Sequence, residues 1–173
     1  MSGREENLSG MLPVELEGAE GVFIRAARLE DAEDMALIDE LCSTIPWMKE
    51  SFEREIEENK IALYLVAATD EEVVGYMGLW RVADEGHITN VAVAPKFRRM
   101  RIASALMETM FDVCGAEGVM DYTLEVRVSN EPAQELYKKH GFKGVGVRKD
   151  YYFDDHEDAL IMWRMTSGRE HVL

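Results

Sequence analysis

Apolar and polar positions along this chain alternate between the periods of strands and helices. Val22 to Ala26 is a short run that reads as a first strand. Glu30 to Cys42 carries Met35, Ile38 and Cys42 on one helical face. A loop, Ser43 to Met48, precedes the charged stretch Lys49 to Glu58, a second short helix carrying Phe52 and Ile56. Ile61 to Ala68 is strongly apolar and strand-like. After the polar turn Thr69 to Glu72, Val73 to Val82 is another strand, with Gly75 and Gly78 expected to leave room for a close backbone or ligand. Ala83 to Gly86 turns the chain into the strand His87 to Ala94. Ile102, Leu106, Met110 and Val113 then form one helical stripe, flanked by Ala103, Met107 and Phe111 and ended by Gly115 and Gly118. Tyr122 to Val128 alternates as a strand does. Asn130 is a good N-cap, Glu131 and Pro132 suit a first turn, and Ala133, Leu136, Tyr137 and His140 keep the helical period until Gly141. Lys143 to Tyr152 and Ala159 to Met165 read as closing strands around the acidic loop Phe153 to Asp158. The order βααβββαβαββ predicts an α/β domain with a mixed, mostly antiparallel sheet and helices on both faces.

The length of 173 residues suits one domain with a sizeable core. Met1 to Gly21 is acidic and lacks the apolar stretch of a signal peptide, so 1–21 is expected as a flexible tail, 22–166 as the domain and 167–173 as a C-terminal tail. The alternative for Met11 to Leu16 is an extra edge strand. No apolar run approaches the ~18 residues of a membrane span. With 19 basic and 34 acidic residues, a net charge of −15, the chain is expected to contact neither nucleic acid nor membrane. That balance suits a cationic acceptor as well as simple solubility. Cys42 and Cys114, each on the apolar side of a helix, are expected to be reduced core thiols of a cytoplasmic protein. His87, His140, His156 and His171 lack metal-ligand spacing, so no metal is expected.

One segment stands out against the acidic background. Val91-Ala92-Val93-Ala94-Pro95 ends a strand, Arg98, Arg99 and Arg101 follow in the loop, and a helix starts at once. A helix N-terminus has unpaired N–H groups and the positive end of the helix dipole, so strand, cationic loop and helix together make a site for an anion such as a polyphosphate.

Leu124-Glu125-Val126-Arg127, Ser129-Asn130, Ala133, Leu136-Tyr137 and Gly141-Phe142 resemble the GNAT superfamily of acetyl-CoA-dependent N-acetyltransferases. The likeness covers roughly Val22 to Met165. Pro46-Trp47, Asn90 to Val93, Arg148 to Tyr152 and Glu157 to Met162 resemble most the ribosomal-protein alanine N-acetyltransferases within it. The resemblance implies a GNAT fold and acetyl transfer from acetyl-CoA to a protein N-terminal α-amine, that of an alanine on a ribosomal protein. Acetylation of a small amine, or a non-catalytic CoA-binding or interaction module, are the alternatives.

The resemblance also implies roles. Glu125 is the general base and Tyr137 the acid at the CoA sulfur. Main-chain groups of Val91, Ala92 and Val93 hold the pantetheine arm and thioester. Arg98, Arg99, Met100, Arg101, Ile102, Ala103 and Ser104 cradle the pyrophosphate, and Asn130 contacts CoA. Trp47, Tyr151, Tyr152, Glu157 and Asp158 are candidates for the acceptor site, as aromatic walls and carboxylates. The chain departs from the family pattern at Arg101, which stands where the cradle usually has its first glycine. A positive φ there implies strain of about 1–2 kcal/mol.

Overall fold

Burial on both faces of one central strand organises the architecture. The computed structural model describes residues 10–166; residues 1–9 and the expected tail 167–173 lie outside it. Strand β3 (Ala62–Ala68) is buried at every position. Its side chains alternate between two cores, as strand geometry requires. Leu63, Leu65 and Ala67 join a core with helix α3 (Ile102–Ala116), through Ile102, Leu106, Met110 and Val113. Tyr64, Val66 and Ala68 join a second core, which contains Met35 and Ile38 of helix α1 (Ala32–Cys42) and Phe52 of helix α2 (Lys49–Glu57). Helices therefore cover both faces of the sheet.

The remaining strands are β1 (Val14–Glu15), β2 (Phe23–Ala26), β4 (Val73–Val82), β5 (Glu85–Val93), β6 (Asp121–Arg127), β7 (Lys143–Arg148) and β8 (Ala159–Arg164), with helix α4 (Glu131–Lys139) between β6 and β7. The sheet order is β1-β2-β3-β4-β5-β6-β8-β7. Every pairing is antiparallel except β5 with β6. The mixed, mostly antiparallel sheet expected from the element order is present.

That parallel pairing is short. Glu85, Gly86 and His87 face Asp121, Tyr122 and Thr123, and no register continues beyond them. On its other edge β5 stays paired with β4 up to Val93, and β6 stays paired with β8 up to Arg127. The two strands thus diverge into a wedge at the centre of the sheet. A bulge starts the divergence: Gly78 faces Asn90 and Leu79 faces Ile88, so Thr89 is an extra residue in β5. A bulge bends its strand and adds local twist.

Four expectations change. Residues 10–21 are not a free tail: β1 pairs with β2, and Leu16 and Ala19 are buried in the α3-side core. The edge strand spans only Val14–Glu15. The space at Gly78 serves packing, because a Cβ there would lie 2.3 Å from the Tyr64 ring. Cys114 is a buried core thiol, but Cys42 is exposed at the end of α1. Lastly, β7 stops at Arg148, which puts Tyr151 and Tyr152 in a loop. Asp150 adopts φ 55° and its N–H donates to Asp158 Oδ1 at 2.9 Å, while the Tyr151 and Tyr152 N–H groups both donate to the Glu157 carbonyl. Those local bonds replace a sheet ladder.

Candidate active site

Backbone direction around the wedge follows from one hydrogen bond. Ala94 N–H donates to the Val74 carbonyl at 2.9 Å, so Ala94 bonds toward β4. Antiparallel strands alternate bonded and non-bonded positions, so Ala92 also turns toward β4 while Val91 and Val93 turn their main-chain groups toward the wedge. The Val93 carbonyl accepts there from Arg98 Nε at 3.4 Å and Cys42 Sγ at 3.5 Å. Of the three residues expected at the thioester, Val91 and Val93 offer main-chain groups to the wedge, and Ala92 buries its side chain in the α1–α2 core.

The loop after Val93 ends in a left-handed turn. A single 3-10 turn, Pro95–Phe97, leads into Arg98, and Arg99 and Arg101 adopt φ 66° and 61°. Arg101 is the N-cap of α3 and makes no side-chain cap. The first helical bond runs from Ala105 N–H to the Arg101 carbonyl. The N–H groups of Ile102, Ala103 and Ser104 precede it and have no intrahelical acceptor. Three free donors, the helix dipole and the exposed Arg98, Arg99 and Arg101 make a cradle suited to a pyrophosphate. Met100 is half-buried and packs against the α3-side core.

The positive φ at Arg101 has a measurable consequence. Glycine tolerates this conformation without steric cost, whereas a Cβ raises it by about 1–2 kcal/mol. The added freedom of glycine in the unfolded chain offsets about 0.4–1 kcal/mol of that relief. Arg101→Gly is therefore expected to raise stability by up to about 1.5 kcal/mol, read as a higher midpoint in thermal unfolding. A lower midpoint would show that the arginine side chain stabilises the loop by more than its backbone costs.

Across the wedge, Glu125 and Tyr137 come from different elements. Glu125 lies on β6, on the face opposite the buried Leu124 and Val126. Its Oε2 is 3.0 Å from His87 Nε2 and its Oε1 is 3.5 Å from Arg148 Nη1. The hydrogen bond to His87, assisted by the charges of His87 and Arg148, outweighs burial and holds the carboxyl below its ordinary pKa. A cleft of about 220 Å³ opens beside it, walled by His87, Thr123, Val145, Arg148 and Trp163. Tyr137, on α4, is buried and packs its ring 5.9 Å from Phe142. Burial, and then Tyr152, push its hydroxyl up to about 12, so it stays protonated at neutral pH. Asn130 caps α4, accepting from Ala133 N–H at 3.2 Å. A larger cleft, about 360 Å³, lies between residues 11–17 and α3 and includes neither Glu125 nor Tyr137.

The expected acceptor residues divide into two groups. The rings of Tyr151 and Tyr152 meet edge to face at 5.1 Å, and Glu125 lies close enough to raise both hydroxyls further after burial has raised them. Tyr152 thus lies within electrostatic reach of both Glu125 and Tyr137. Trp47 instead packs on the α1–α2 core, 5.6 Å from Phe52, and its N–H donates to Asp39. Glu157 accepts from Ser129 N–H at 2.7 Å and from Arg127 at 3.0 Å, and Asp158 pairs with Lys149 at 2.6 Å. These two carboxylates hold the loop together.

On sequence alone, His87, Arg127 and Arg148 had no role in the site. The register that places His87 opposite Thr123 puts His87 on the same face as Glu125, two residues along β6. Only the parallel pairing reveals this, because the pair is far apart in the chain. Arg127 was visible as part of a motif, but its partners lie on two remote loops.

Comparison with known proteins shows the family and the fold. The model of the Acetyltransferase (GNAT) family matches residues 32–142. The chain belongs to the GNAT acetyltransferase family. Among relatives, a Bacillus subtilis protein provisionally named ribosomal protein bS18-alanine N-acetyltransferase is 44% identical over 140 residues, covering 81% of this chain and 93% of the relative. An N-alpha-acetyltransferase of Sulfurisphaera tokodaii is 39% identical over 155 residues, covering 80% and 90%. The crystal structure of the Escherichia coli ribosomal-protein-S18-alanine N-acetyltransferase superposes with a TM-score of 0.77 at 28% identity, over 88% of this chain and 98% of that one. The sheet with a central wedge is the GNAT fold, and this chain is an N-acetyltransferase.

Proposed function

We propose that this enzyme transfers the acetyl group of acetyl-CoA to the α-amine of a protein N-terminus, that of an alanine on a ribosomal protein of the bS18 type. One observation carries the reading: the Glu125 carboxylate sits between His87 and Arg148 in a cleft where the wedge begins, and Tyr152 lies within electrostatic reach of both Glu125 and the protonated Tyr137. The likeness to relatives named for that acceptor supports it. The net charge of −15 also suits a basic acceptor. A ribosomal acceptor implies a cytoplasmic enzyme, and among the described residues no helix is long and apolar enough to cross a membrane.

Acetyl-CoA supplies the activated acetyl group. Val91 and Val93 main-chain groups would hold its pantetheine arm and thioester, the N–H groups of Ile102 to Ser104 with the loop arginines its pyrophosphate, and the start of α4 at Asn130 its flank. Glu125 takes the proton that the amine nitrogen sheds as it attacks the thioester, directly or through a water, with His87 and Arg148 orienting the carboxylate. An α-amine, with pKa about 8, is unprotonated near neutral pH far more often than a lysine side chain near 10.4, which suits an N-terminus as acceptor. Tyr137 holds its proton at Oη and donates a hydrogen bond to the departing thiolate.

Incubation with acetyl-CoA and an alanine-initiated peptide that also contains lysine tests the proposal. Mass spectrometry should find the label on the α-amine. Labelling mainly on lysine, or turnover of small amines alone, would overturn the acceptor class.

A further inference from the structure

We infer that Arg127 is a positioning residue that sets the acceptor entrance by tying the Tyr151–Tyr152 loop to the α1–α2 loop. The inference rests on the acceptor reading above, and on a set of contacts that the chemistry of acetyl transfer does not use. Arg127 ends β6, two residues beyond Glu125 and on the same face. Its Nη1 contacts Asp155 Oδ1 at 2.9 Å and Glu157 Oε2 at 3.0 Å. Its Nη2 reaches both oxygens of Asp154 at 2.8 Å and Thr44 Oγ1 at 3.0 Å. The guanidinium carbon lies 3.8 Å from the centre of the Tyr152 ring. Thr44 in turn donates to Asp154 Oδ2 at 2.8 Å.

Three parts of the enzyme meet on this one side chain. Thr44 belongs to the loop between α1 and α2. Tyr152, Asp154, Asp155 and Glu157 belong to the loop between β7 and β8. Glu157 extends the tie to the start of α4 by accepting from Ser129 N–H, next to Asn130. Tyr152, with the guanidinium carbon over its ring, lies within electrostatic reach of both Glu125 and Tyr137. A planar, five-donor guanidinium can serve carboxylates on two sides and stack on a ring at once; an ammonium cannot. Burial disfavours the Arg127 charge, but the hydrogen bonds to Asp154, Glu157 and Asp155 outweigh it and hold the group charged. Glu157 and Asp158, which looked like ligands for a cationic acceptor, are already paired within the chain, with Arg127 and Lys149 respectively. What they present to an acceptor is the position of two tyrosines.

The consequence is a division between binding and chemistry. Without the Arg127 side chain, the loop over 149–158 keeps its main-chain bond from Val128 N–H to the Asp158 carbonyl but loses its side-chain anchor to β6, while the Glu125 contacts to His87 and Arg148 stay in place. Arg127→Ala is expected to raise the KM for an alanine-initiated peptide by tenfold or more, with kcat within about threefold and the KM for acetyl-CoA unchanged. Amide hydrogen exchange over 150–157, measured without substrates, should accelerate by at least tenfold. Arg127→Lys should fall between. Thr44→Val, which cuts the tie at its far end, should raise the peptide KM in the same direction by a smaller factor. Unchanged exchange in Arg127→Ala, or a loss confined to kcat with the peptide KM untouched, would overturn the inference. If the wild-type enzyme acetylates no peptide, the acceptor reading fails instead, and the exchange measurement still decides whether Arg127 holds the loop.

Discussion

Glu125→Gln is expected to lower kcat for a peptide acceptor by roughly 10²-fold or more, with CoA binding retained, because the substitution keeps the shape of the side chain and removes its basicity. The wild-type carboxyl is held below its ordinary pKa by His87 first, with burial opposing. It is thus ionised from mildly acidic pH upward, and its contribution to stability is present above the ordinary carboxylate range and lost as pH falls through the depressed value. Tyr137 stays protonated up to about 12. Between these limits the rise of kcat/KM with pH should follow the acceptor amine, near pH 8. A rise centred near pH 4–5 would mean that Glu125 titrates as an ordinary carboxyl and would remove the role assigned to His87. Tyr137→Phe should cost roughly 10²-fold as well, the scale of one hydrogen-bond donor to a developing anion. Complete proton transfer from a phenol near 12 to a thiolate whose acid has pKa about 8.5 is uphill by about 5 kcal/mol. Tyr137 therefore acts by donating a hydrogen bond. Near-normal kcat in both variants would sink the assignments.

Asp39→Ala is expected to destabilise the protein by about 3 kcal/mol, the range for leaving buried partners of a charged group unsatisfied. Asp39 is only 6% exposed. It accepts from the Tyr76 hydroxyl at 2.5 Å and from Trp47 N–H at 2.7 Å. Tyr76 is fully buried on β4, and burial followed by the Asp39 charge raises its pKa, so its hydroxyl remains a donor. One carboxylate thus links α1, the sheet and the loop that carries Trp47. With a urea slope of about 2 kcal/mol/M, the unfolding midpoint should fall by about 1.5 M. A fall below about 0.3 M would mean that water satisfies the exposed partners and that the link is weak. Asp39→Asn, which keeps an acceptor oxygen, should lose less.

Local pattern alone was enough for the element order from β2 onward, the two-sided core and the start of a helix directly after the arginine loop. The alternation in Ala62–Ala68, the stripe from Ile102 to Val113 and the Asn130 cap follow from periods and cap chemistry that act within a few residues. The family resemblance, read on Leu124 to Tyr137, pointed to acetyl transfer for the same reason: those residues are close in sequence. Tertiary structure decided what depends on register and on distant partners. Tyr151 and Tyr152 left the expected strand because Asp150 and Glu157 close a local turn. Cys42 proved exposed because the helix face it shares with Ile38 runs out at the edge of the core. His87 became the partner of Glu125 through three residues of parallel pairing. Glu157 passed from candidate ligand to scaffold because Arg127, thirty positions earlier, reaches it. A carboxylate carries no mark in its own sequence of whether a cation of the same chain will fold onto it, and that choice set the character of this site.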